Sequence, residues 1–373
     1  MSNIIVLGAG MVGRAIAIDL TSRHNVTLTD LNPLALSEAQ AKCPPLKTRL
    51  LDVVELEELR NAISSFDLVV CAVPGFLGFQ TLRAIIAARK NVIDISFFPE
   101  DCLELDALAK ENGVTAIVDC GVAPGLDNLI LGYWDKKLKL TDFECLVGGL
   151  PKVKKWPFAY KAPFSPIDVI EEYTRPARYV ENGKEIIREP LTDVEHVEFE
   201  GVGTLESFNS DGLRSIIQTM PHIPNMKEKT LRYPGHVEYI RVLKESGFFS
   251  EDKVSGTEMS ALDFTSKILF NEWKLGAEEE EITVMRVTVR GTDAQGEMQE
   301  VVYDIHDEYD QKTKTASMSR TTGYTATAAA NMFLDGLFTK NGVFPPELIG
   351  GADGCFEYVV RYLAERGVDV KGG

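Results

Sequence analysis

The sequence predicts an α/β chain in which a doubly wound parallel sheet comes first and a second, α+β unit follows. Three observations carry this expectation. Over the first 130 residues, short and nearly continuous apolar runs alternate with stretches of helical spacing. A glycine triplet sits where the first such run meets the first helical stretch. Beyond Asn128 the runs lengthen and alternate apolar with polar residues, as half-exposed strands do.

In chain order, "NIIVLGA" reads as a buried strand, "GMVGRAIAIDLTSR" as a helix with a small-residue inner face, and "NVTLTD" as a second strand. "NPLALSEAQAKC" is helical, with Asn32 as N-cap and Pro33 at the first position, where a missing N–H costs nothing. "LKTRLLDV", "FDLVVCAVP", "NVIDIS" and "VTAIVDCG" are strands three to six. The helices between them lie in "VELEELRNAIS", "FQTLRAIIAARK" and "DCLELDALAKENG", the last ending at Gly113. Helical connections of this length imply right-handed parallel crossovers, and the continuous apolar strands imply a sheet covered on both faces. Further on, "TDFECLVGGLP", "EIIREPL", "HVEFEGVG", "EITVMRVTVRG" and "MQEVVYDIHDEYD" read as longer antiparallel strands, the last two joined as a hairpin. "TGYTATAAANMFLDGLF" reads as a close-packed helix that returns to the first unit. The expected divisions are residues 1–125, 126–318 and a returning segment 319–373.

Bulk properties narrow the function classes. A chain of 373 residues is long enough for about two domains. Its six cysteines are scattered without a CxxC pair, and several lie in apolar runs, which suits reduced intracellular thiols. No zinc-like spacing occurs among these and the five histidines, so no metal is expected. The N-terminus has no basic signal region, and no stretch reaches the ~20 apolar residues of a membrane span. A cytoplasmic protein is expected. A net charge of −17 argues against nucleic acid or an anionic membrane as partner.

The glycine triplet is Gly8-x-Gly10-x-x-Gly13, with Met11 and Val12 inside it. It follows a strand, opens a helix, and is answered by Asp30 at the end of strand two, 22 residues after Gly8. A dinucleotide site of the Rossmann type needs all of these. One glycine makes the tight turn, a second admits the pyrophosphate to the backbone, and the third lets helix pack on sheet. Asp30 accepts the adenosine ribose hydroxyls and repels a 2′-phosphate, and Leu31, Asn32 and Pro33 bring no compensating cation, so NAD is the expected cofactor. Asp52 and Val53, after strand three, either face the adenine edge or lie in a solvated loop.

In an open parallel sheet, ligands lie beyond the carboxyl ends of the strands. There, Val73 and Pro74 either wall the nicotinamide ribose or form a plain turn. Ser96, Phe97 and Phe98 are expected to line the pocket near the reacting ring. The break "DCGVAPGLDNL" brings Asp119, Cys120, Gly121, Pro124, Gly125 and Asn128 to the same region, at the seam between the two units. Asp127 falls in the first turn of the next helix, where negative charge is favoured. Thr321 and Thr322 are read first as helix caps.

With the fingerprint, the motifs "VIDIS", "GVAPGLDN", "VGGLP", "FAYKAPFSP", "EEYTRPARY" and "KEKTLRYPGH" occur in an order that resembles the saccharopine dehydrogenase (glutamate-forming)/lysine 6-dehydrogenase family over nearly the whole chain. Saccharopine reductases of that family read roughly G-L-D-P-G-x-D-H where this chain has Ala123 in place of the first acid and Asn128 in place of the histidine. That departure, with Asp30 and "MKEKTLRYPGH", resembles the NAD-linked lysine 6-dehydrogenase branch.

The resemblance implies a Rossmann domain, a substrate and dimerisation domain on a mixed sheet, a C-terminus that returns to the first domain, and a homodimer. It also implies oxidation of lysine at its ε-carbon by NAD. For that chemistry Arg214 is the leading candidate to grip the α-carboxylate, with Arg232 second. Asp119 is the candidate to receive the amine, ahead of Glu144 and Asp211. Lys161 or His222 is the candidate general base, His222 and His236 being equally readable as structural histidines. The rival readings are a saccharopine or carboxynorspermidine reductase of the same fold, and a non-catalytic NAD sensor or scaffold.

The cofactor assignment has a direct test. Asp30→Ser combined with Leu31→Arg is expected to move the NAD/NADP preference toward NADP by about tenfold or more, the scale of one hydrogen bond to a charged group. An unchanged ratio of kcat/KM for the two cofactors contradicts the role given to Asp30.

Overall fold

In the computed structural model, which describes residues 1–164, 166–276 and 278–373, the first unit is built as strand and helix in alternation. Its elements are β1 (Asn3–Leu7), α1 (Met11–Leu20), β2 (Asn25–Asp30), α2 (Pro33–Lys42), β3 (Lys47–Leu50), α3 (Leu56–Ile63), β4 (Leu68–Cys71), α4 (Gly75–Ala87), β5 (Val92–Asp94), α5 (Asp106–Asn112) and β6 (Thr115–Ile117). All six strands expected from the apolar runs are present. Asn32 caps α2 by accepting from Leu34 N–H, Pro33 is its first residue, and Gly113 ends α5 in the left-handed region. The second unit begins with α6 (Leu126–Asp135), β7 (Lys139–Pro151), α7 (Pro166–Thr174), β8 (Ala177–Glu181), β9 (Lys184–Arg188) and β10 (Glu195–Phe199). It continues with β11 (Gly203–Asn209), α8 (Ile216–Thr219), β12 (Asn225–Arg232), α9 (His236–Glu245), α10 (Ala261–Trp273), β13 (Glu281–Thr292) and β14 (Met298–Glu308). The C-terminal elements are α11 (Ser317–Leu334), β15 (Gly342–Phe344), α12 (Glu347–Gly350), α13 (Cys355–Ala364) and β16 (Val370–Gly372).

The first sheet is parallel throughout, in the order β15-β6-β5-β4-β1-β2-β3. Strand order reverses at β1, which places a crevice beyond the carboxyl ends of β1 and β4. The second sheet runs β10-β11-β12-β7-β13-β14-β16 and is mixed. The sheet is mixed, as the resemblance implies: among strands that alternate as antiparallel ones do, β12 lies parallel to β7, from the Asn225–Asp142 pair to the Thr230–Val147 pair. That one parallel pair runs down the middle of the sheet and sets which residues of β12 reach the crevice.

The C-terminal segment closes both sheets. Helix α11 packs on α1, with Gly323 so near that a Cβ there would lie 3.4 Å from Ile16 Cγ1. Asp19 of α1 accepts from Thr327, from the Tyr362 hydroxyl and from Arg366 Nε, each at 2.7 Å. β15 extends the first sheet beside β6, whereas β16 joins the second sheet beside β14. Thr321 and Thr322 lie inside α11 and do not cap it. The helix begins at Ser317, and the N–H groups of Ser317 and Met318 donate to the Glu281 carboxylate at 2.7 Å each. One apolar core joins Ile4 and Ile16 of the first unit to Phe143 and Met285 of the second. No helix among the described residues is long and apolar enough to cross a membrane.

The C-terminal segment meets the second unit at a close helix contact. A Cβ at Gly132 of α6 would stand 2.1 Å from the Glu347 carbonyl of α12, and one at Gly350 would stand 2.1 Å from the Leu129 carbonyl. Backbone faces backbone there, so a methyl group has nowhere to go. Gly132→Ala is expected to destabilise the protein by about 1–3 kcal/mol. In urea unfolding this lowers the midpoint with little change in slope; an unchanged midpoint contradicts the packing described.

Candidate active site

A cavity of about 570 Å³ opens where the carboxyl ends of the first sheet face the second sheet. Its first end is lined by Gly8, Gly10, Met11, Val12, Gly13, Arg14 and Asp30. Gly8 has φ +103°, and a Cβ there would meet the Ala72 carbonyl at 2.4 Å; a Cβ at Gly13 would meet the Gly8 carbonyl at 2.0 Å. Both positions require glycine. Gly10 differs, since nothing lies within 4 Å of its missing Cβ. It is the N-cap of α1, no side chain caps it, and no acid stands in the first turn. A helix N-terminus left open beside a side-chain-free backbone fits a pyrophosphate. Asp30 accepts from Ala9 N–H at 2.6 Å and from Asn32 N–H at 2.7 Å, which fixes its carboxylate at the end of β2.

The middle of the cavity is walled by Val73, Pro74, Phe97, Asp119, Gly121, Pro124 and Thr322. The turn from β6 to α6 makes this wall. Gly125, at φ +145°, folds back on Gly121 so closely that a Cβ would lie 2.0 Å from the Gly121 carbonyl. Asp119 is buried and ion-paired with Arg214, whose Nε lies 3.0 Å from both carboxylate oxygens. Arg214 also donates to the Phe98 carbonyl at 2.7 Å and lies over the Phe97 ring at 4.7 Å.

The far end, formed by the second sheet and α7, carries Asp168, Glu172, Ser210, Asp211, Gly212, Glu228, Thr230 and Arg232, with Gly148 and Gly149 of β7 beneath. Acids outnumber bases here. Asp211 is held by Arg178 through two bonds of 3.0 Å. Arg232 donates to Glu172 at 2.6 Å and to the Tyr173 hydroxyl at 3.2 Å, and stacks over Tyr160 at 4.3 Å. Burial pushes Glu172 up, against the pull of Arg232. His236, behind Arg232, bonds the Phe158 carbonyl and the Tyr173 hydroxyl, and burial with the Arg232 charge lowers its pKa to about 3, so it stays neutral. It is a structural histidine.

Several of the residues singled out by their place in the sequence gather at this cavity, and others do not. Asp119, Asp211 and Arg232 line it, as do Phe97, Pro124 and Gly121. Arg214, the first choice for a carboxylate clamp, is spent on Asp119 and the Phe98 carbonyl and does not line the cavity. Lys161 stands outside, with its Nζ on the Glu272 carbonyl at 2.6 Å, and His222 is exposed and bonded to Asp135 at 2.6 Å. Glu144 pairs with Lys227 in a separate, smaller cavity of about 180 Å³. Asn128 is buried behind the turn, where it accepts from Gly125 N–H and donates to Glu347. Ser96 is buried against Cys71, Phe98 packs edge-on to Phe79, and Cys120 belongs to the inter-unit core. Asp52 closes a turn onto Val54 N–H, and Val53 packs on the core of the first unit. Glu172 and Glu228 lie within the motifs "EEYTRPARY" and "KEKTLRYPGH", but nothing in their spacing, or in that of Asp168, marks them as cavity residues. Only the parallel pairing of β12 with β7 and the placement of α7 bring them inward.

Comparison with known proteins places this architecture. Saccharopine dehydrogenase [NADP(+), L-glutamate-forming] from Saccharomyces cerevisiae is 25% identical over 268 residues, which is 67% of this chain and 59% of that protein. Its counterpart from Schizosaccharomyces pombe is 28% identical over 266 residues, again 67% and 59%. The mitochondrial alpha-aminoadipic semialdehyde synthase of Bos taurus is 26% identical over 284 residues, 71% of this chain and 30% of that one. The chain thus spans less than two thirds of the length of these relatives. In three dimensions it is similar to apo saccharopine dehydrogenase (L-Glu forming) from Saccharomyces cerevisiae, with a TM-score of 0.81, 19% identity, and coverage of 100% and 99%. It also shares its fold with the homospermidine synthase of Legionella pneumophila in complex with NAD, with a TM-score of 0.69, 12% identity, and coverage of 100% and 91%. The profile of the saccharopine dehydrogenase NADP binding domain matches residues 4–117 and that of the saccharopine dehydrogenase C-terminal domain matches residues 121–368, so the chain belongs to the saccharopine dehydrogenase family.

Proposed function

We propose that the chain oxidises L-lysine at its ε-carbon with NAD, giving NADH and an imine that water hydrolyses to ammonia and the 6-semialdehyde, which cyclises. The observation that carries this reading is the charge of the far end of the cavity. Among the described residues, Asp168, Glu172, Asp211 and Glu228 line that end together with one arginine, Arg232. Lysine brings two ammonium groups and one carboxylate. Saccharopine brings three carboxylates and needs more than one basic clamp. Ala123, at the wall, adds no charge.

The support for NAD is Asp30, since an acid at the end of strand two accepts ribose hydroxyls and repels a 2′-phosphate. Among the described residues, Arg14 is the one basic side chain lining that end of the cavity, and its guanidinium engages Glu38 at 2.7 Å. When bound, the nicotinamide accepts the hydride. The residues of the chain do the rest. Phe97, Pro124 and Val73 wall the reacting carbon, and Asp119, fixed by Arg214, offers a carboxylate to the cation that develops there. Arg232 receives the α-carboxylate, and Glu172 and Asp211 flank the α-ammonium. Fixing both ends of lysine holds the ε-carbon in place, and orientation supplies much of the rate.

A second reading has one observation in its favour. Arg232 is already engaged by Glu172, so an acidic cavity of this kind also suits a polyamine without a carboxylate. An assay of NADH formation with L-lysine, saccharopine, ornithine and unsubstituted diamines separates the readings. Lysine is expected to give the highest kcat/KM; no reaction with any amine overturns the proposal. Arg232→Lys is expected to raise KM for lysine about tenfold or more while leaving kcat within a few-fold, because a point charge replaces a two-pronged clamp. It is expected to change KM for a diamine little, and an equal rise for both contradicts the clamp. Lys161→Met and His222→Ala, which lie outside the cavity, are expected to keep kcat within about twofold across pH, the range of a surface change. A loss of the basic or acidic limb in either variant restores it as the general base.

A further inference from the structure

The proposed reaction leaves one requirement unmet. Lysine enters with its ε-nitrogen protonated, since its pKa is ~10.4, and hydride leaves the adjacent carbon only when the nitrogen lone pair is free. Some group in the cavity must take that proton. Lys161 and His222 lie elsewhere, and Asp119 is already held by a guanidinium.

The parallel pairing of β12 with β7 sets Glu228 beside Cys145. Asp127, in the first turn of α6, completes a triangle in which a carboxylate oxygen of each acid and Cys145 Sγ all lie within 4.8 Å of one another. Asp127 is 0% exposed and Glu228 4%. Each keeps one buried oxygen without a hydrogen-bond partner, Asp127 Oδ2 and Glu228 Oε2. The other Asp127 oxygen accepts from Gly125 N–H at 2.9 Å. A Cβ at position 212 would lie 1.9 Å from Glu228 Oε1, so Gly212 leaves the room that the carboxylate fills. Glu228 faces the cavity where its far end adjoins the Gly121–Gly125 wall, and Asp127, bonded to that turn through Gly125 N–H, stands behind it.

We propose that Glu228 and Asp127 act together as the proton acceptor of this site, Glu228 taking the proton from the substrate's ammonium and Asp127 tuning it from behind. The inference rests on the amine-oxidation reading above. In the step, an N–H bond of the ammonium breaks, its electron pair stays on nitrogen, and the proton forms an O–H bond on Glu228. The freed lone pair then becomes the C=N π bond as hydride leaves the ε-carbon for the nicotinamide. Charge balances: a pair holding one proton and one negative charge becomes a neutral pair holding two protons.

The surroundings favour a shared proton over two bare charges. Burial raises Glu228 well above the ordinary carboxylate range, and the charges of Asp127, Asp211 and Glu172 raise it further, with Arg214 opposing. Burial raises Asp127 as well, and Glu347 adds to this, while the N–H groups of Asn128 and Gly125 oppose it. Neighbouring buried carboxyls of this kind titrate as a pair. Cys145 is held as a thiol by burial and by the charge of Asp127 and Glu228, which disfavours a thiolate-bound metal at the same spot.

The test uses the full chain with Glu228→Gln and Asp127→Asn, each checked for folding by circular dichroism and for NAD binding. Infrared difference spectra taken across a pH titration of the wild-type protein are expected to show a protonated carboxyl near neutral pH that Glu228→Gln lacks. This needs no substrate. For the amine that the protein oxidises best, kcat/KM is expected to rise with pH to a plateau. Glu228→Gln is expected to lower it at neutral pH by about 10²–10⁴-fold, the usual range for losing a general base. Asp127→Asn is expected to keep the plateau but move the rise to lower pH, because a negative neighbour is gone. Wild-type rates in Glu228→Gln, an unmoved limb in Asp127→Asn, or no protonated carboxyl in the wild type overturn the proposal. So does a stoichiometric metal ion that Glu228→Gln loses. If lysine is inert and another amine reacts, the lysine reading fails alone; if no amine reacts, the absence of a protonated carboxyl still refutes the pair.

Discussion

The turn from Gly121 to Gly125 is the constraint on which the rest of the molecule depends. It is where the chain leaves the parallel sheet, and it is so tight that the Gly121 carbonyl occupies the place of a Cβ on Gly125. That closeness does three things at once. It sets Asp119 and Pro124 on the cavity wall, starts α6 with Asp127 in its first turn, and aims β7 across the mouth of the first sheet. The inter-unit core then fixes the angle between the sheets, because α6 buries most of its residues. A looser connection would leave the two lining surfaces free to slide.

Charge at the cavity is organised by pairing. Asp119 has Arg214, Asp211 has Arg178, and Arg232 has Glu172. Of these only Asp119–Arg214 is buried on both sides, and such a pair is poor evidence of stability but good evidence of fixed geometry, since removing one partner strands the other. Against that background, Asp127 and Glu228 stand out for their unpartnered oxygens. An ammonium-bearing substrate answers that excess of negative charge, and a dicarboxylate would add to it.

How much of this was legible depended on how local each signal was. The dinucleotide fingerprint and Asp30 were readable because glycine turns, a helix start and a strand end all fall within one unit of the fold. The break at Asp119–Gly125 was readable for the same reason. The far end of the cavity was not. In "MKEKT" charged residues stand on both sides of Glu228, yet Glu228 and Lys229 are both buried, because β12 has neighbours on both sides. Lys161 drew interest from the aromatic and proline residues around it, but those residues pack with Trp273 and turn the ammonium to a backbone carbonyl. Arg214 lies beside the cavity wall, but spacing along the sequence does not reveal that Asp119 and the Phe98 carbonyl take up its donors.

The central claim is that hydride leaves the carbon bearing the side-chain amine. Lysine deuterated at the ε-carbon, incubated with the protein and NAD, tests this most directly when the reduced cofactor is examined by mass spectrometry. The account predicts one deuterium in the NADH from ε-labelled lysine and none from α-labelled lysine. Deuterium arriving from the α-carbon, or an unlabelled reduced cofactor formed from the ε-labelled substrate, would contradict it.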